Sequence, residues 1–195
     1  MKPKNINKNP PVVLASGSRQ REKLLSQLID DFEIIIPQIK EEIQEGENAV
    51  DLVLRLACKK AQNVTCRRPD SIVIGADTVV ECDGEIIGKP ANYMDAKRIL
   101  RKISSNPHRV VCGICVIDPT GKKHCAVESP EIRMKKMSLT EIEEYIENND
   151  VLNRAGAYGL EQFDPNVEEI KGSRSAVLGL ALEPLRKILS NITTP

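Results

Sequence analysis

Residues 14–21 have the sequence LASGSRQR and close an apolar run, so we interpret them as a strand end, a small-residue turn and a helix start. Small residues let a ligand approach the backbone closely, and a helix start offers unpaired N–H groups. Ser16 and Ser18 add hydroxyl groups, and Arg19 and Arg21 add guanidinium groups. The combination suits a polyphosphate. In the alternative interpretation, Ser18 only caps the helix and the arginines are solvated.

The rest of the chain alternates predicted strands and helices. The predicted strands are Val12–Ser16, Phe32–Ile36, Ser71–Ala76, Thr78–Cys82, Glu85–Gly88, Arg109–Asp118 and a stretch over Lys122–Met137. The predicted helices are Gln20–Leu28, Asn48–Val64, Tyr93–Ile103, Glu141–Glu147 and Leu182–Leu189. We expect residues 150–171 to be irregular and residues 172–175 to form a loop. This order indicates an α/β or α+β fold, with ligands expected where strand ends meet helix starts.

Composition excludes several classes of function. The chain has 195 residues, which suits one domain or one domain in two lobes. Its 28 basic and 28 acidic residues give no net charge, which argues against a protein that holds nucleic acid by general electrostatics. With three Tyr, two Phe and no Trp, a platform for stacking bases is not expected either. We therefore predict no nucleic-acid partner.

Sequence patterns at the N-terminus and around the cysteines predict a cytoplasmic protein. No apolar run approaches the roughly 18–20 residues that a membrane helix needs, so no membrane partner is expected. Residues 1–10 are basic and polar, without the apolar region of a secretory signal; we expect a disordered tail before a domain over residues 11–190. The six cysteines are then expected to be reduced thiols. Cys112 and Cys115 lie three apart in a predicted strand and should point to opposite faces, which disfavours a shared metal or redox role.

A second chemical signal is Asp77, which directly follows the buried run Ile72–Ala76. A carboxylate at the end of a core strand is costly to bury unless it is paired or bound to a metal. It could hold a divalent ion or activate a water beside one, or it could be a turn residue bonded to local backbone. Lys89 could meet a phosphate as a point charge or lie exposed in its loop. Glu41 could be a second metal ligand or a solvated acid.

Taken together, these motifs resemble the Maf-type nucleotide pyrophosphatases, also called septum-formation inhibitor Maf homologues. The resemblance extends from about Val12 to Leu189. It rests on LASGS at 14–18 with Arg21, Leu56-Ala57, Lys60-Ala61, IGADTVV at 74–80, Gly88-Lys89-Pro90, His108-Arg109-Val110, AGAYG at 155–159 and Gly172-Ser173.

The resemblance implies hydrolysis of a nucleoside triphosphate to the monophosphate and pyrophosphate, with a divalent cation, usually Mg²⁺ or Mn²⁺. It also implies an α/β fold related to the ITPases, with an elongated mixed sheet, flanking helices and two lobes around a deep cleft. A homodimer would be consistent with it. The residues that match the family's functional positions are Ser16 and Arg21 for phosphate, the acidic Glu41, the lysines Lys60 and Lys89, and the proton acceptor Asp77.

We therefore assign roles to these residues as a hypothesis. The phosphates are bound by the turn Ser16-Gly17-Ser18 with Arg21, Lys60 and Lys89. Asp77 and Glu41 hold the metal, and Asp77 also orients the attacking water.

Three further positions, Gln20, Thr78 and Glu161, are expected to contact the base, and they give a mixed signal. Gln20 stands where pyrimidine-type members carry Arg and 7-methyl-GTP enzymes carry Trp. Thr78 matches the pyrimidine type, whereas Glu161 matches the 7-methyl-GTP type. An ionised Glu only accepts hydrogen bonds, so it should prefer a base edge with N–H donors or a cationic base. The base is left open between dTTP or UTP and 7-methyl-GTP. Lys40 replaces the usual Asp before Glu41 and removes one possible metal ligand.

The alternative is a nucleotide-binding regulatory protein with little or no turnover. The departures at Gln20, Lys40 and Glu161 leave it open. Asp77 together with Lys89 and Arg21 favours an enzyme, because binding alone would not require the acid.

Overall fold

The computed structural model describes residues 10–159 and 165–193, and most of its strands lie side by side in one mixed sheet. The strands are β1 (Val12–Ala15), β2 (Glu33–Ile34), β3 (Ile72–Cys82), β4 (Glu85–Ile87), β5 (His108–Ile117), β6 (Lys123–Glu128), β7 (Glu131–Met134) and β8 (Val167–Lys171). The helices are α1 (Arg19–Leu25), α2 (Ala49–Thr65), α3 (Tyr93–Ser105), α4 (Leu139–Asn148), α5 (Arg174–Val177) and α6 (Leu182–Thr193).

The sheet has the order β2-β1-β3-β5-β7-β8, with β4 paired to β3 and β6 paired to β5. β1 runs parallel to β2 and β3, and the other pairs are antiparallel. Helices pack on both faces, so the predicted α/β class with a mixed sheet is confirmed. No helix in the two described stretches is both long and apolar enough to cross a membrane.

Alternation along the strands explains why both faces are covered. In β1, Leu14 packs with the residues of α1 and α6, whereas Val13 and Ala15 pack with those of α2. In β5, Cys112 belongs to the first group and Cys115 to the second, as expected for residues three apart in a strand. Each central strand therefore buries apolar side chains on both sides.

Two glycines allow α2 to approach the sheet closely. A Cβ atom on Gly75 of β3 would lie 2.3 Å from the carbonyl oxygen of Ala57, and one on Gly113 of β5 would lie 2.8 Å from the backbone of Val53. Real Cβ atoms do not come so close to backbone. Glycine at these two positions therefore sets the height of α2 above the strands, and with it the position of every side chain that α2 points at the sheet.

The prediction that a strand ends before Asp77 is wrong. β3 runs without interruption from Ile72 to Cys82 and joins the two predicted strands Ser71–Ala76 and Thr78–Cys82. Its antiparallel ladder with β5 pairs every residue from Val73 to Glu81, and Asp77 lies opposite Gly113. The ladder continues through an ionisable residue because the carboxylate has a buried partner, described below.

Other boundaries differ locally from the prediction. The stretch 122–137 is two strands with a break at Ser129-Pro130, and the predicted loop 172–175 contains the start of α5, which Ser173 caps. The irregular stretch contains β8 and a 3₁₀ turn over Ala155–Ala157. The predicted Asp83-Gly84 hairpin is confirmed, since it joins β3 to β4 with both residues at positive φ.

The predicted tail, residues 1–10, lies outside the described residues except for Pro10. The division of residues 11–190 into two lobes stays a prediction.

Candidate active site

A cleft of about 510 Å³ brings together the predicted site residues that the structure describes. The β1–α1 turn, the middle of β3 and the centre of α2 line it, together with the loops around Glu41 and Lys89. The ten predicted residues in its wall are Ser16, Gly17, Ser18, Gln20, Arg21, Glu41, Lys60, Asp77, Thr78 and Lys89. The eleventh, Glu161, lies outside the described residues.

Asp77 and Lys60 form a buried ion pair at the floor of this cleft. The Nζ atom of Lys60 lies 2.6 Å from Oδ1 of Asp77, and both residues are about 95% buried, with exposures of 5% and 4%. Burial raises the pKa of Asp77 above its ordinary value, while the positive charges of Lys60 and Arg21 act in the opposite direction. Lys60 reaches Asp77 because Gly75 lets α2 lie directly against β3.

Glu41 joins this pair from the loop after β2. Its Oε2 atom lies 3.0 Å from Nζ of Lys60, and about half of its side chain is exposed. One ammonium group thus holds two carboxylates, one buried and one at the solvent boundary. Residue 40, next to Glu41, is Lys and supplies no further carboxylate.

The guanidinium of Arg21 is fixed between three segments of the chain. Its Nε donates to the carbonyl oxygen of Gly179 at 2.8 Å, and its terminal nitrogens donate to Ser16 Oγ at 3.4 Å and Thr78 Oγ1 at 3.3 Å. The solvated interpretation is therefore wrong for Arg21, whereas Arg19 is exposed.

Hydroxyl groups organise the small-residue turn. Ser16 Oγ accepts a hydrogen bond from the backbone N–H of Ser18 at 3.2 Å, and Ser18 Oγ accepts one from the N–H of Arg21 at 3.4 Å. Ser18 thus caps α1, as the alternative interpretation proposed, and it also lines the cleft. Ser16 is buried, while Gly17 between them is exposed. The turn therefore presents backbone at the surface of the cleft, supported from below by serine.

Sequence reasoning missed the contribution of the segment that contains the 3₁₀ turn. Asn153, Arg154 and Tyr158 line the cleft, although no role was assigned to them. The N–H of Gly156 donates to the carbonyl oxygen of Gly88 at 3.1 Å, which attaches this segment to the loop that carries Lys89. The AGAYG motif at 155–159 was recognised, but its pattern gives no sign of a neighbour almost 70 residues away.

The residues present fit a hard divalent cation. Asp77 and Glu41 supply carboxylate oxygens, the ligands that Mg²⁺ and Mn²⁺ prefer. Both carboxylates contact one ammonium group, so they lie close enough to share a positive charge. Two carboxylates with room for phosphate oxygens match the usual Mg²⁺ site of nucleotide enzymes. The predicted metal ligands are therefore compatible with the ion.

Curated proteins and solved structures resemble this chain over most of its length. A "dTTP/UTP pyrophosphatase" of Vibrio parahaemolyticus is 39% identical over 179 residues, which cover 91% of this chain and 94% of that protein. One of Dictyoglomus thermophilum is 39% identical and covers 93% and 95% of the two chains. The solved Ham1 protein of Staphylococcus aureus shares the fold, with a TM-score of 0.56 at 16% identity, covering 93% of this chain and 98% of that one. Ham1 from Coxiella burnetii aligns with a TM-score of 0.52 at 13% identity, covering 93% and 99%.

The family described as "Maf-like protein" matches residues 11–192, almost the whole chain. This span includes every residue that lines the cleft, from Ser16 to Gly179. The resemblance inferred from the motifs is confirmed: this chain belongs to the Maf-like protein family.

Proposed function

We propose that the protein is a nucleoside triphosphate pyrophosphatase, which uses water to cleave the α–β phosphoanhydride bond and releases a nucleoside monophosphate and pyrophosphate. The observation that carries the proposal is the buried Asp77, held by Lys60 at the floor of a cleft that also contains Arg21. A binding protein would have no need for a carboxylate where anionic phosphates enter. A hydrolase needs one, to position and deprotonate water.

The charges in the cleft suit a triphosphate. Arg21, Lys60, Lys89 and Arg154 line it and are the basic residues that its described wall contributes. A nucleoside triphosphate carries about four negative charges, which phosphoryl-transfer enzymes neutralise with cations and oriented donors. We assign Arg21 and Lys89 to the outer phosphates. Lys60, at the floor, faces the phosphate that water attacks, next to Asp77.

Asp77 is assigned as the general base. Its carboxylate would accept a hydrogen bond from the attacking water and take up its proton as the O–P bond forms and the α–β bond breaks. The leaving pyrophosphate would remain on the cationic side chains until release. Asp77 and Glu41 would hold a divalent cation, which when bound withdraws negative charge from the phosphate oxygens.

The substrate base is proposed to be a pyrimidine, as dTTP or UTP. The similar proteins of Vibrio parahaemolyticus and Dictyoglomus thermophilum are named for these two nucleotides. Thr78 agrees with the pyrimidine pattern and lies beside Arg21 in the cleft. Gln20, which also lines the cleft, can donate and accept, as a pyrimidine edge requires.

A nucleotide panel tests the proposal. The protein is incubated with dTTP, UTP, 7-methyl-GTP and the common triphosphates, with Mg²⁺ or Mn²⁺, and monophosphate and pyrophosphate are quantified. We expect equal amounts of the two products, the highest kcat/KM with dTTP or UTP, and loss of turnover with a chelator. Release of diphosphate and inorganic phosphate would refute the proposed bond cleavage. Tight binding without product would instead support the regulatory alternative.

The matched variants are Asp77→Asn and Asp70→Asn. Both remove one negative charge while keeping the shape of the side chain, but Asp70 is exposed and outside the cleft. Asp77→Asn should lower kcat by at least about a hundredfold, the lower range for loss of a general base. Asp70→Asn should keep the parent rate. Activity of Asp77→Asn within a few-fold of the parent would refute the assignment.

A further inference from the structure

Three cysteines that are far apart in sequence converge at one edge of the sheet, away from the nucleotide cleft. Cys58 is on α2, Cys115 on β5 and Cys125 on β6. Their Sγ atoms all lie within 4.8 Å of one another, and those of Cys58 and Cys125 are 3.4 Å apart. None of the three lines the cleft that contains Asp77. We call Cys58, Cys115 and Cys125 the thiol cluster.

The thiol cluster depends on the register between β5 and β6 and on the short distance between α2 and the sheet. Cys115 and Cys125 are directly opposite each other in the antiparallel β5–β6 ladder, so their side chains share one face. That face is covered by α2, which Gly113 admits close to β5. Cys112, the other member of the sequence pair, packs on the opposite face with Leu14. Cys112 and Cys115 therefore point to opposite faces, as predicted, and Cys115 belongs to a different group.

The spacing of the sulfur atoms suits coordination of one metal ion. With Zn–S bonds of about 2.3 Å, two sulfurs on the same zinc ion lie about 3.8–4.0 Å apart. In the thiol cluster, the Sγ atoms of Cys58 and Cys125 are 3.4 Å apart and no separation exceeds 4.8 Å, so the three sulfurs lie near the distance that one ion requires. Thiolates select thiophilic ions and bind Mg²⁺ poorly. The cluster thus differs in donor chemistry from the carboxylate pair of the cleft.

The three cysteines of the thiol cluster differ in their exposure to solvent. Cys115 is fully buried, Cys58 is half-buried and Cys125 is exposed. A metal ion bound by the three sulfurs would therefore have its fourth position on the solvent side, where water can complete a tetrahedron. An ion could also enter from that side without any movement of the sheet.

The three thiols differ in acidity. The hydrogen bond with Cys58 and burial raise the pKa of Cys115, and burial and the contact with Cys58 raise the pKa of Cys125, whereas the pKa of Cys58 is lowered. Cys115 donates a hydrogen bond toward the sulfur of Cys58, which lowers the pKa of Cys58. Cys125 and the positive charge of Lys123 also lower this pKa, whereas desolvation raises it. A metal ion binds thiolates, so its binding here would release protons.

We propose that Cys58, Cys115 and Cys125 form a binding site for one thiophilic divalent ion, with Zn²⁺ as the expected occupant. A metal bound there would join α2 to β5 and β6, and so fix the helix that carries Lys60. The inference is independent of the proposed function, because it needs neither nucleotide nor Asp77.

Cobalt substitution tests the site directly. The reduced full-length protein is titrated with Co²⁺ without oxygen, and Zn²⁺ is then added to displace it. We expect an intense sulfur-to-cobalt charge-transfer band that saturates at one equivalent per chain and disappears with Zn²⁺. An ion bound by Asp77 and Glu41 gives no such band, and Asp77→Asn should leave the band unchanged. A protein that shows no charge-transfer band refutes the proposal.

Serine variants assign the ligands. Cys125→Ser and Cys58→Ser should each weaken metal binding at least about tenfold, the lower end of what loss of even an outer-shell partner costs. Cys125 is exposed, so its replacement leaves the core intact. Cys66→Ser is the matched control, because Cys66 is an exposed cysteine outside the thiol cluster. Equal affinity in the parent, Cys58→Ser and Cys125→Ser would overturn the assignment. So would a Cys58–Cys125 disulfide that persists in the reduced, metal-free sample.

Discussion

The ammonium group of Lys60 contacts the buried carboxylate of Asp77 at 2.6 Å and the half-exposed carboxylate of Glu41 at 3.0 Å. One positive charge thereby compensates two negative charges at the floor of the cleft. Neither carboxylate is near Lys60 in sequence, so the arrangement depends on packing of α2 against β3. Removing the lysine should therefore affect folding as well as catalysis.

Lys60→Met should lower the free energy of unfolding by about 3–5 kcal/mol, because it leaves a buried carboxylate without its partner. The double variant Lys60→Met/Asp77→Asn should recover part of this loss, since the uncompensated charge is gone. Urea denaturation of the parent, both single variants and the double variant measures the coupling. Strictly additive losses would contradict a direct interaction between the two residues.

Gly75→Ala should be destabilising because its Cβ would meet the carbonyl oxygen of Ala57 at 2.3 Å. Backbone on both sides must move, so we expect a loss of about 3 kcal/mol, at the upper end for overpacking. Displacement of α2 also moves Lys60, and kcat should fall in protein that remains folded. Thermal unfolding and steady-state kinetics measure both effects.

Gly88→Ala is the control for stability, since nothing lies within 4 Å of the added Cβ. A Gly75→Ala variant as stable as Gly88→Ala would mean that α2 tolerates a greater distance from the sheet.

Thr78→Val should raise the KM for the nucleotide more than it lowers kcat. The hydroxyl of Thr78 accepts a hydrogen bond from Arg21 and so helps to hold the guanidinium in the cleft. Loss of one such bond is worth about 0.5–1.5 kcal/mol, or about two- to tenfold in KM. Thr140→Val, at an exposed position outside the cleft, should have no effect. An unchanged KM in Thr78→Val would show that Arg21 needs no support from this side.

His108 should make the protein sensitive to mild acid. Burial lowers the pKa of His108 to about 4, and its Nε2 atom pairs with the hydroxyl of Tyr158 at 2.7 Å. Between pH 6.5 and 4 the unfolded chain binds a proton at this residue and the folded chain does not. The free energy of unfolding should thus fall as the pH decreases through this range, by up to about 3 kcal/mol.

The measurement is urea denaturation at a series of pH values for the parent and His108→Gln. The variant lacks the titrating ring, so the decrease assigned to His108 should be absent from it. An identical pH dependence in both proteins would assign the acid sensitivity to other groups.

Local sequence signals predicted most of the architecture but not its long-range pairings. The Ser18 cap, the Asp83-Gly84 turn and the periodicity of α2 each act within a few residues, so pattern alone identifies them. The strand break predicted at Asp77 was wrong because the compensating charge comes from Lys60, which only the fold brings close. The thiol cluster was missed for the same reason, since its members lie on three separate elements.

Family motifs grouped candidate site residues that are far apart in sequence, because such motifs already encode long-range proximity. The roles assigned to these residues stay predictions. Arg21 and Lys89 were assigned to one site although 68 positions separate them, and both line the cleft. Physical reasoning on the residues alone had left each of them open between a binding role and solvent exposure. Arg154 was missed because it precedes the recognised motif and has no pattern of its own.

β3 and β5 contribute side chains to several hydrophobic clusters, and Asp77, Thr78 and Val80 of β3 and Val110 of β5 also line the cleft. This part of the cleft is therefore made of two strands that are paired to each other. A change in the shape of this part of the cleft would disrupt the antiparallel ladder of nine residue pairs between β3 and β5. A nucleotide should thus encounter a cavity whose shape exists before it arrives, and little of its binding free energy should be lost to ordering the protein.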